Sequence, residues 1–212
     1  MPQQIALIDY GMGNLRSVGK ALELVGADVR IVSSPARVGD FKAIVLPGVG
    51  SFGPALNNLK RQKLFDSVRS FIGTGRMFLG LCLGFQFLFE TSFEEGCFRG
   101  FGLIEGTVEK FALKSKKFKI PHMGWNNVLQ RMPNAKEMFK GIPDKTYFYF
   151  VHSFIAKPKN KSFVSGVTEY GDIFCSSVTK DNIWACQFHP EKSGKYGLKL
   201  LQNFVTCADK RI

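Results

Sequence analysis

A cysteine lies between two glycines in the stretch Gly80-Leu81-Cys82-Leu83-Gly84, which matches a nucleophile elbow with Cys in place of the usual Ser. The apolar run 77–80 before it predicts a strand, and residues 83–90 after it have helical periodicity. A sharp strand-to-helix turn needs small flanking residues, lifts the sulfur above the end of the strand, and favours the thiolate at the helix start. The pattern predicts that Cys82 is a nucleophile rather than a structural cysteine.

A cysteine nucleophile needs a base, and the base needs a group that orients it. His189-Pro190-Glu191 follows the apolar run 183–188 and offers both. Residues two apart on a strand face the same side, so Glu191 can reach the imidazole of His189. Alone, His-Pro-Glu is typical of a loop after a strand, but together with Cys82 it predicts a Cys-His-Glu triad.

A glycine-rich turn, Pro47-Gly48-Val49-Gly50, follows the apolar run 43–46. Such a turn can direct backbone N–H groups at a developing oxyanion, and the residue after the nucleophile, Leu83, supplies the second donor. We therefore predict an oxyanion hole formed by the N–H groups of Val49 and Leu83. The glycines also allow the peptide between them either orientation, with a carbonyl or the Val49 N–H towards the site.

Two weaker signals do not predict a ligand site. Gly11-Met12-Gly13 resembles the start of a dinucleotide fingerprint, but Arg16 occupies the place of the third glycine. His122 and His152 lack the spacing and the neighbouring Cys or carboxylate residues of a metal site. We expect neither a cofactor nor a metal.

The first half of the chain has the pattern of a scaffold that can position these residues. Strand-like runs alternate with helical periodicity, which predicts a parallel sheet covered by helices on both faces. The strand-like runs are 5–8, 29–32, 43–46 and 77–80, and the helical segments are 15–25, 64–72 and 83–90.

After about Gly106 strand-like runs follow one another with few helices between them, which predicts an antiparallel extension. The runs are 108–111, 125–129, 147–151, 163–168, 173–178 and 183–188, before an amphipathic helix at 197–207. The predicted fold is α/β: a single domain over residues 1–212, with a flavodoxin-like, mostly parallel sheet flanked by helices and an antiparallel extension in the second half.

Composition excludes several classes of protein. Hydrophobic residues make up 45% and charged residues 22%, which is ordinary for a globular protein. There is no apolar run long enough for a membrane span, and Met1–Gln4 leads into a strand without a basic signal region. Five cysteines without a C-x-x-C pair argue against a disulfide framework and for a reducing compartment. We expect a cytoplasmic protein.

The net charge of +12 is unevenly distributed. Residues 107–162 contain twelve basic and three acidic residues. This segment could attract an anionic substrate or an acidic partner, or it could be a solvated lysine-rich face. Because no recognition motif accompanies it, we expect no nucleic-acid binding.

The chain closely resembles the class I (triad) glutamine amidotransferase family. The Cys82 elbow and His-Pro-Glu are shared by the whole class, whereas Asp9–Asn14 and Pro121–Asn126 resemble its glutaminase subunits of histidine biosynthesis. The stretches that carry the resemblance are 8–18, 46–53, 80–86, 120–126, 149–153 and 187–193.

The resemblance implies a mechanism. Cys82 would attack the side-chain amide of glutamine, His189 would protonate the departing ammonia, and Glu191 would orient His189. Water would then release glutamate from the thioester. The resemblance also implies a group of residues that contact the substrate, namely Gly48, Gly50, Gln86 and Glu94. Phe85 departs from the family, where Met is common, and the similar apolar size changes little chemically.

The resemblance further implies a partner. In these subunits ammonia passes into a (β/α)8-barrel cyclase/synthase subunit of a heterodimer, which makes imidazole glycerol phosphate and aminoimidazole-carboxamide ribotide. Trp125, Tyr149 and Lys192 match positions at that interface, where they would form a gate. Neither nucleic acid nor a membrane is an expected partner.

Other functions remain open at this point. Paralogues with the same motifs supply ammonia for acetamidino groups on surface sugars, and the positive charge could reflect such a partner. A cysteine hydrolase or deglycase-like protein would share the elbow but would not need His-Pro-Glu on a late strand. A non-catalytic basic binding module would tolerate the loss of Cys82.

Overall fold

The computed structural model describes residues 3–113 and 117–210, which form one mixed sheet with helices on both faces. The strands are Gln3–Ile8 (β1), Ala27–Val32 (β2), Ala43–Leu46 (β3), Met77–Leu81 (β4), Phe89–Ser92 (β5), Phe98–Arg99 (β6), Ile104–Lys110 (β7), His122–Gln130 (β8), Thr146–His152 (β9), Phe154–Pro158 (β10), Val164–Glu169 (β11), Ile173–Lys180 (β12) and Ile183–Cys186 (β13).

The helices cover the sheet or connect its strands. The α-helices are Leu15–Leu24 (α1), Phe52–Arg61 (α2), Leu64–Gly73 (α3), Leu83–Gln86 (α4), Ala135–Met138 (α5) and Gly194–Lys210 (α6), and the 3-10 helices are Pro35–Asp40, Lys161–Phe163 and Pro190–Lys192. Among the described residues, no helix is long and apolar enough to cross a membrane.

Five parallel strands in the order β2-β1-β3-β4-β13 form the centre of the sheet. This flavodoxin-like order confirms the predicted parallel half. Leu46 on β3 aligns with Gly80 on β4, and Gly80 aligns with Ala185 on β13. The segments that follow these three strands, which carry the predicted site residues, therefore meet at one edge of the sheet.

The central strands are buried on both faces, as parallel strands between helices must be. Ile44 and Leu46 of β3 pack into one apolar cluster with α2 and α3, and Ala43 and Val45 pack into the other with α1 and α6. This two-sided burial gives the elements that bear the site a rigid base.

The second half of the chain forms the predicted antiparallel extension. Beyond β13 the order continues β12-β10-β7-β5-β6, while β11 pairs with β12 and β8, and β8 pairs with β9. The β8–β9 pair is the longest of these ladders, and it runs from His122 opposite His152 to Val128 opposite Thr146.

Two predictions about elements were wrong, the first of them in part. The run 183–188 belongs to the parallel half as well as to the antiparallel extension, because β13 ends at Cys186, pairs in parallel with β4 and pairs antiparallel with β12. The helix predicted at 83–90 is the single turn α4, followed by β5. Residues 81–89 are all buried, so their apolar spacing reflects burial on every side and not one face of a helix. Strands β5, β6 and β10 and helix α2 were not predicted.

Candidate active site

Cys82 occupies a strained turn between β4 and α4. Its backbone has φ 52° and ψ −100°, a conformation that costs free energy for a residue with a side chain. A Cβ atom at Gly80 would lie 2.6 Å from the Gly84 carbonyl oxygen, and one at Gly84 would overlap the carbonyl oxygen of Leu46. Both glycines are therefore required for this close approach, and the nucleophile elbow predicted from the sequence forms here.

His189 and Glu191 lie together beside this turn. The imidazole Nδ1 is 2.8 Å from Glu191 Oε1, and both side chains are buried. The prediction that strand alternation brings these two residues together was wrong, because they do not lie on one strand. His189 directly precedes the 3-10 helix Pro190–Lys192, and Pro190 is the first residue of that helix. The tight turn, and not strand alternation, brings the carboxylate back to the ring.

The environment of His189 favours its charged form. Burial alone lowers its pKa, but the neighbouring Cys82 sulfur and the hydrogen bond to Glu191 outweigh burial and raise the pKa to about 10. The imidazole is therefore protonated at neutral pH. A cationic ring between a sulfur and a carboxylate can both hold a thiolate and deliver a proton.

A cavity of about 140 Å³ gathers most of the predicted site residues. It is lined by Val49, Gly50, Cys82, Leu83, Gln86, Glu94, Val151, His152, Ser153, Phe154 and His189. Glu191 lies behind His189 and does not line it, and neither does Gly48. The enclosed space suits a ligand as small as one amino acid.

The two predicted substrate side chains stand in the cavity wall with defined partners. Gln86 Nε2 donates to the Phe154 carbonyl at 3.3 Å and to Gln187 Oε1 at 3.0 Å. Glu94 Oε2 accepts from the backbone N–H of Phe52 at 3.0 Å, at the start of α2. Partial burial raises the pKa of Glu94, although that hydrogen bond opposes the shift. Both side chains are thus held in place before any ligand arrives.

The turn at residues 47–50 is in the orientation that places a carbonyl towards the elbow. The Gly48 carbonyl accepts from the Leu83 N–H at 3.5 Å. Because the C=O and N–H of a trans peptide point in opposite directions, the Val49 N–H points away. The two predicted donors therefore do not converge in this structure. A Cβ at Gly48 would lie 2.5 Å from Tyr10 Oη and 2.6 Å from Leu83 Cβ, so this glycine is sterically required.

The segment that resembled a dinucleotide fingerprint supports this turn. Tyr10 is buried, and its hydroxyl donates to the Pro47 carbonyl at 3.0 Å. Gly13 and Met12 pack close to Pro47 and Gly50, respectively. Residues 10–13 therefore position the glycine-rich turn.

The predicted interface residues cluster on the outer face of β8–β9. Trp125 is 55% exposed and pairs across the strands with Tyr149, with ring centroids 6.2 Å apart. Lys192 Nζ lies 5.7 Å from the centre of the Tyr149 ring. Sequence reasoning missed two exposed neighbours on the same ladder, Met123 at 62% and Tyr147 at 56%. The sequence signal that could have indicated them is the alternation of large apolar residues along each strand.

Backbone contacts connect this face to the segment that carries His189. The His189 N–H donates to the Tyr149 carbonyl at 2.9 Å, and the Tyr149 N–H donates to Ser193 Oγ at 3.0 Å. The Ser193 hydroxyl donates in turn to the His189 carbonyl at 2.6 Å. A displacement of β9 would therefore reach His189 directly.

His122 and His152, distant in sequence, contact one another. His122 Nδ1 lies 3.0 Å from His152 Nε2, and both rings are buried. Burial lowers the pKa of His122 to about 4 and that of His152 to about 3, so both are neutral at pH 7. Within the described ranges, no group of three or more His, Cys, Asp or Glu residues could hold a metal ion.

The segment 107–162 lines the cavity through its residues 151–154, but none of its described lysines and arginines does. Lys157 pairs with Glu109 and Lys159 with Glu90 at the surface, and two of its lysines, Lys114 and Lys116, lie outside the described residues. A larger open cleft of about 570 Å³, bordered by Arg131 and Lys161, contains none of the predicted site residues.

Comparison with known proteins agrees with this fold. The model of the family "Glutamine amidotransferase class-I" matches residues 6–207. The chain therefore belongs to the class-I glutamine amidotransferases, a family of enzymes, as the sequence resemblance indicated.

Several individual proteins match the chain over nearly its whole length. The chain is 48% identical over 205 residues to imidazole glycerol phosphate synthase subunit HisH of Aquifex aeolicus, which covers 96% of this chain and 97% of the relative. It is 45% identical over 203 residues to the HisH subunit of Rhodopirellula baltica, with 96% and 97% covered.

Solved structures share the fold at low sequence identity. The PurLQS structure from Thermotoga maritima has a TM-score of 0.74 at 20% identity and covers 98% of this chain and 99% of that one. A glutamine amidotransferase from the same organism has a TM-score of 0.68 at 13% identity, with 99% of each chain covered. These structures confirm the predicted fold class.

Proposed function

We propose that this chain is the glutaminase subunit of an imidazole glycerol phosphate synthase. The observation that carries the proposal is that Cys82 and His189 line one small cavity, with Glu191 bound to His189 behind it. The near-full-length similarity to HisH subunits supports this particular assembly.

In the proposed reaction the Cys82 thiolate attacks the side-chain amide carbon of glutamine. Attack forms the C–S bond and places a negative charge on the amide oxygen; the C–N bond then breaks as His189 donates its proton to the departing nitrogen. Formation of the thioester removes the sulfur charge that helps to raise the pKa of His189. The ring can therefore release a proton in the first step and serve as the base for water in the second, which yields glutamate and restores the thiolate.

Glu191 has the role of an orienting group in this proposal. Its carboxylate accepts a hydrogen bond from the Nδ1–H group of His189 and directs Nε2 towards the cavity. Glu94 and Gln86 would bind the amino-acid end of glutamine from the cavity wall, and Gly50 lies beside them. Gly48 acts through its backbone in the adjacent turn.

The oxyanion hole requires a rearrangement in this proposal. Rotation of the Gly48–Val49 peptide would move the carbonyl away from Leu83 and bring the Val49 N–H towards the site. One such donor is worth about 10²- to 10³-fold in rate. The orientation found here supports a restrained glutaminase that a partner activates.

The partner is a (β/α)8-barrel synthase subunit that docks on the outer face of β8–β9. Val151 lines the cavity and lies opposite Met123 on this ladder, so the face and the cavity share a strand. Trp125, Tyr149 and Lys192 would form the gate through which ammonia passes to the synthase. Ammonia would be used there to make imidazole glycerol phosphate and aminoimidazole-carboxamide ribotide.

The alternative is a paralogous glutaminase that supplies ammonia for acetamidino-sugar synthesis. The test is to express the chain in a histidine auxotroph that lacks its own glutaminase subunit but retains a barrel subunit. Growth without histidine at low ammonium, lost in Cys82→Ala, is the expected result. Failure to grow, with a stable complex absent, would favour the alternative.

A further inference from the structure

A continuous run of hydrogen bonds begins at the nucleophile. Gln187, fully buried, directs its Nε2 at Cys82 Sγ over 3.6 Å. Its Oε1 accepts from Gln86 Nε2 at 3.0 Å, and the same nitrogen donates to the Phe154 carbonyl at 3.3 Å. Two side-chain amides thus connect the reacting sulfur to one backbone oxygen on β10.

That carbonyl fixes the direction of both amides. A carbonyl oxygen only accepts hydrogen bonds, so the Gln86 atom that faces Phe154 must be the nitrogen. Gln86 then donates to Gln187, which must present its oxygen to Gln86. The Gln187 amide consequently has only its N–H group left to face Cys82. The Phe154 carbonyl oxygen, three residues from Cys82 along this path, thus determines that the Cys82 sulfur faces a hydrogen-bond donor.

The same carbonyl fixes the tautomers of the two buried histidines. His152 Nδ1 lies 2.9 Å from the Phe154 oxygen and must carry a proton, so its Nε2 is an acceptor. His122 Nδ1, 3.0 Å from that nitrogen, must then be the donor. His122 Nε2 is left to accept from Asn126 Nδ2 at 3.2 Å.

The path ends on the strand that carries the exposed face. Asn126 Nδ2 also donates to the Glu169 carbonyl at 2.9 Å, which confirms that the nitrogen is the donor. His122 and Asn126 are on the inner face of β8, while Met123 and Trp125, at alternate positions, are on the outer face. The two ends of the path are therefore β8 and the nucleophile.

We propose that Gln187 is a further catalytic group that donates a hydrogen bond to the Cys82 sulfur, and that Gln86, the Phe154 carbonyl, His152 and His122 position it. This inference rests on the proposed glutaminase function. The bond stabilises the thiolate before attack, and it stabilises the same charge when the sulfur leaves the thioester.

The proposal also refines the role of Gln86. Both hydrogens of its amide are engaged by Gln187 and Phe154. Gln86 would therefore meet the substrate only through Oε1, as an acceptor for the ammonium group of glutamine. His152 and His122 do not touch the substrate amide or the sulfur in this scheme, and they act as positioning residues.

The first test measures the rate at which iodoacetamide alkylates Cys82 at neutral pH, without glutamine. Gln187→Met removes the donor at nearly constant side-chain length, and alkylation should slow about tenfold, since a charged acceptor loses a hydrogen bond. Gln130→Met is the matched control, because Gln130 Nε2 also donates to backbone carbonyls, of Ile142 and Pro143, but far from the cavity. Equal rates in the wild type and Gln187→Met, or equal slowing in both variants, would overturn the proposal.

The second test compares two substitutions at His152. The amide nitrogen of Asn can replace the imidazole Nδ1, so His152→Asn should keep the bond to Phe154 and retain most of the alkylation rate. His152→Phe loses that bond and should slow alkylation several-fold. Indistinguishable rates in the two variants would contradict the positioning role.

The third test needs no variant and is independent of activity. Nitrogen-15 NMR of the intact protein should show both buried histidines as neutral Nδ1–H tautomers. An Nε2–H tautomer at either ring would break the path. If the tautomers and alkylation rates are as expected but partner-dependent glutaminase activity is absent, the proposed function fails and the hydrogen-bond path stands.

Discussion

At the scale of single residues, the chemistry depends on the charge state of His189. Its position between a sulfur and a buried carboxylate raises its pKa to about 10, and Glu191 also holds the ring in one tautomer. In the proposed mechanism, His189 as proton carrier and Glu191 as its orienting group therefore have separable roles. Their substitution should have unequal effects.

His189→Ala should lower glutamine hydrolysis by several orders of magnitude, because it removes the group that protonates ammonia. Glu191→Gln should cost less, since an amide can still contact Nδ1 but lacks the stabilising charge. Steady-state glutaminase assays of the activated complex measure both. A larger loss in Glu191→Gln than in His189→Ala would show that the roles are assigned wrongly.

The buried histidine pair should make the fold sensitive to acid. His152 has a folded-state pKa of about 3 against 6.5 in the unfolded chain, so the unfolded state binds a proton first as pH falls. Its stabilising contribution is complete above pH 6.5 and is lost as pH falls towards about 3, which amounts to about 2 kcal/mol at about pH 5. Urea unfolding of the wild type and His152→Asn at pH 7 and pH 5 should show the steeper loss in the wild type. Equal losses of unfolding free energy in the two proteins between pH 7 and pH 5 would contradict this expectation.

Residue types and spacing were sufficient to predict that Cys82, His189 and Glu191 lie together, because an elbow needs its two glycines and a base needs an orienting carboxylate. They were not sufficient for Gln187 or for the His122–His152 contact. These residues are far apart in sequence, and only the pairing of β8 with β9 and of β4 with β13 brings them together. A glutamine or histidine within an apolar strand carries no spacing signal by itself.

At the scale of elements, the elbow depends on the absence of a side chain at one position. Gly84→Ala should destabilise the protein by about 2 to 4 kcal/mol or prevent folding, because its Cβ would overlap a carbonyl oxygen of β3. Gly73→Ala is the matched control: it lies at the end of α3 with nothing within 4 Å of an added Cβ. The control should be neutral or up to about 1 kcal/mol more stable. Urea unfolding measures both, and equal stabilities would count against the proposed packing.

The glycine-rich turn gives a second prediction at this scale. Val49→Pro removes the N–H that would complete the oxyanion hole, and partner-stimulated glutaminase activity should fall about 10²- to 10³-fold. Val49→Ala keeps the N–H and should retain most of the stimulation. Synthesis by the partner subunit with ammonium salts as the nitrogen source should persist in both variants. Stimulation that survives in Val49→Pro would place the switch elsewhere.

The order of strand-like runs and helical segments in the sequence predicted most of the sheet but not the surroundings of the candidate site. The parallel half was confirmed because its strands are buried on both faces and separated by amphipathic helices. The prediction of a helix at 83–90 was wrong because the carbonyl groups of Phe87 and Leu88 accept hydrogen bonds from the backbone of residues 101–104. A local sequence pattern cannot reveal such contacts. The orientation of the Gly48 carbonyl also depends on contacts with Leu83 and Tyr10 from separate elements.

At the scale of the whole molecule, the fold separates the reaction from the exposed apolar face by one pair of strands. Tyr149 contributes its ring to that face and its carbonyl to His189, and Val151 lines the cavity. A partner on β8–β9 would therefore contact the elements that support the catalytic groups. This arrangement supports the proposal that a partner activates the glutaminase.

The most direct measurement of the central claim is the rate of imidazole glycerol phosphate formation by the chain reconstituted with a barrel subunit. Wild type and Cys82→Ala are each assayed with glutamine and with ammonium salts as the nitrogen source. The wild type should use both sources, and Cys82→Ala should use ammonium alone at an undiminished rate. Glutamine-dependent synthesis by Cys82→Ala would contradict the nucleophile, and a wild type that cannot use glutamine with this partner would contradict the assembly.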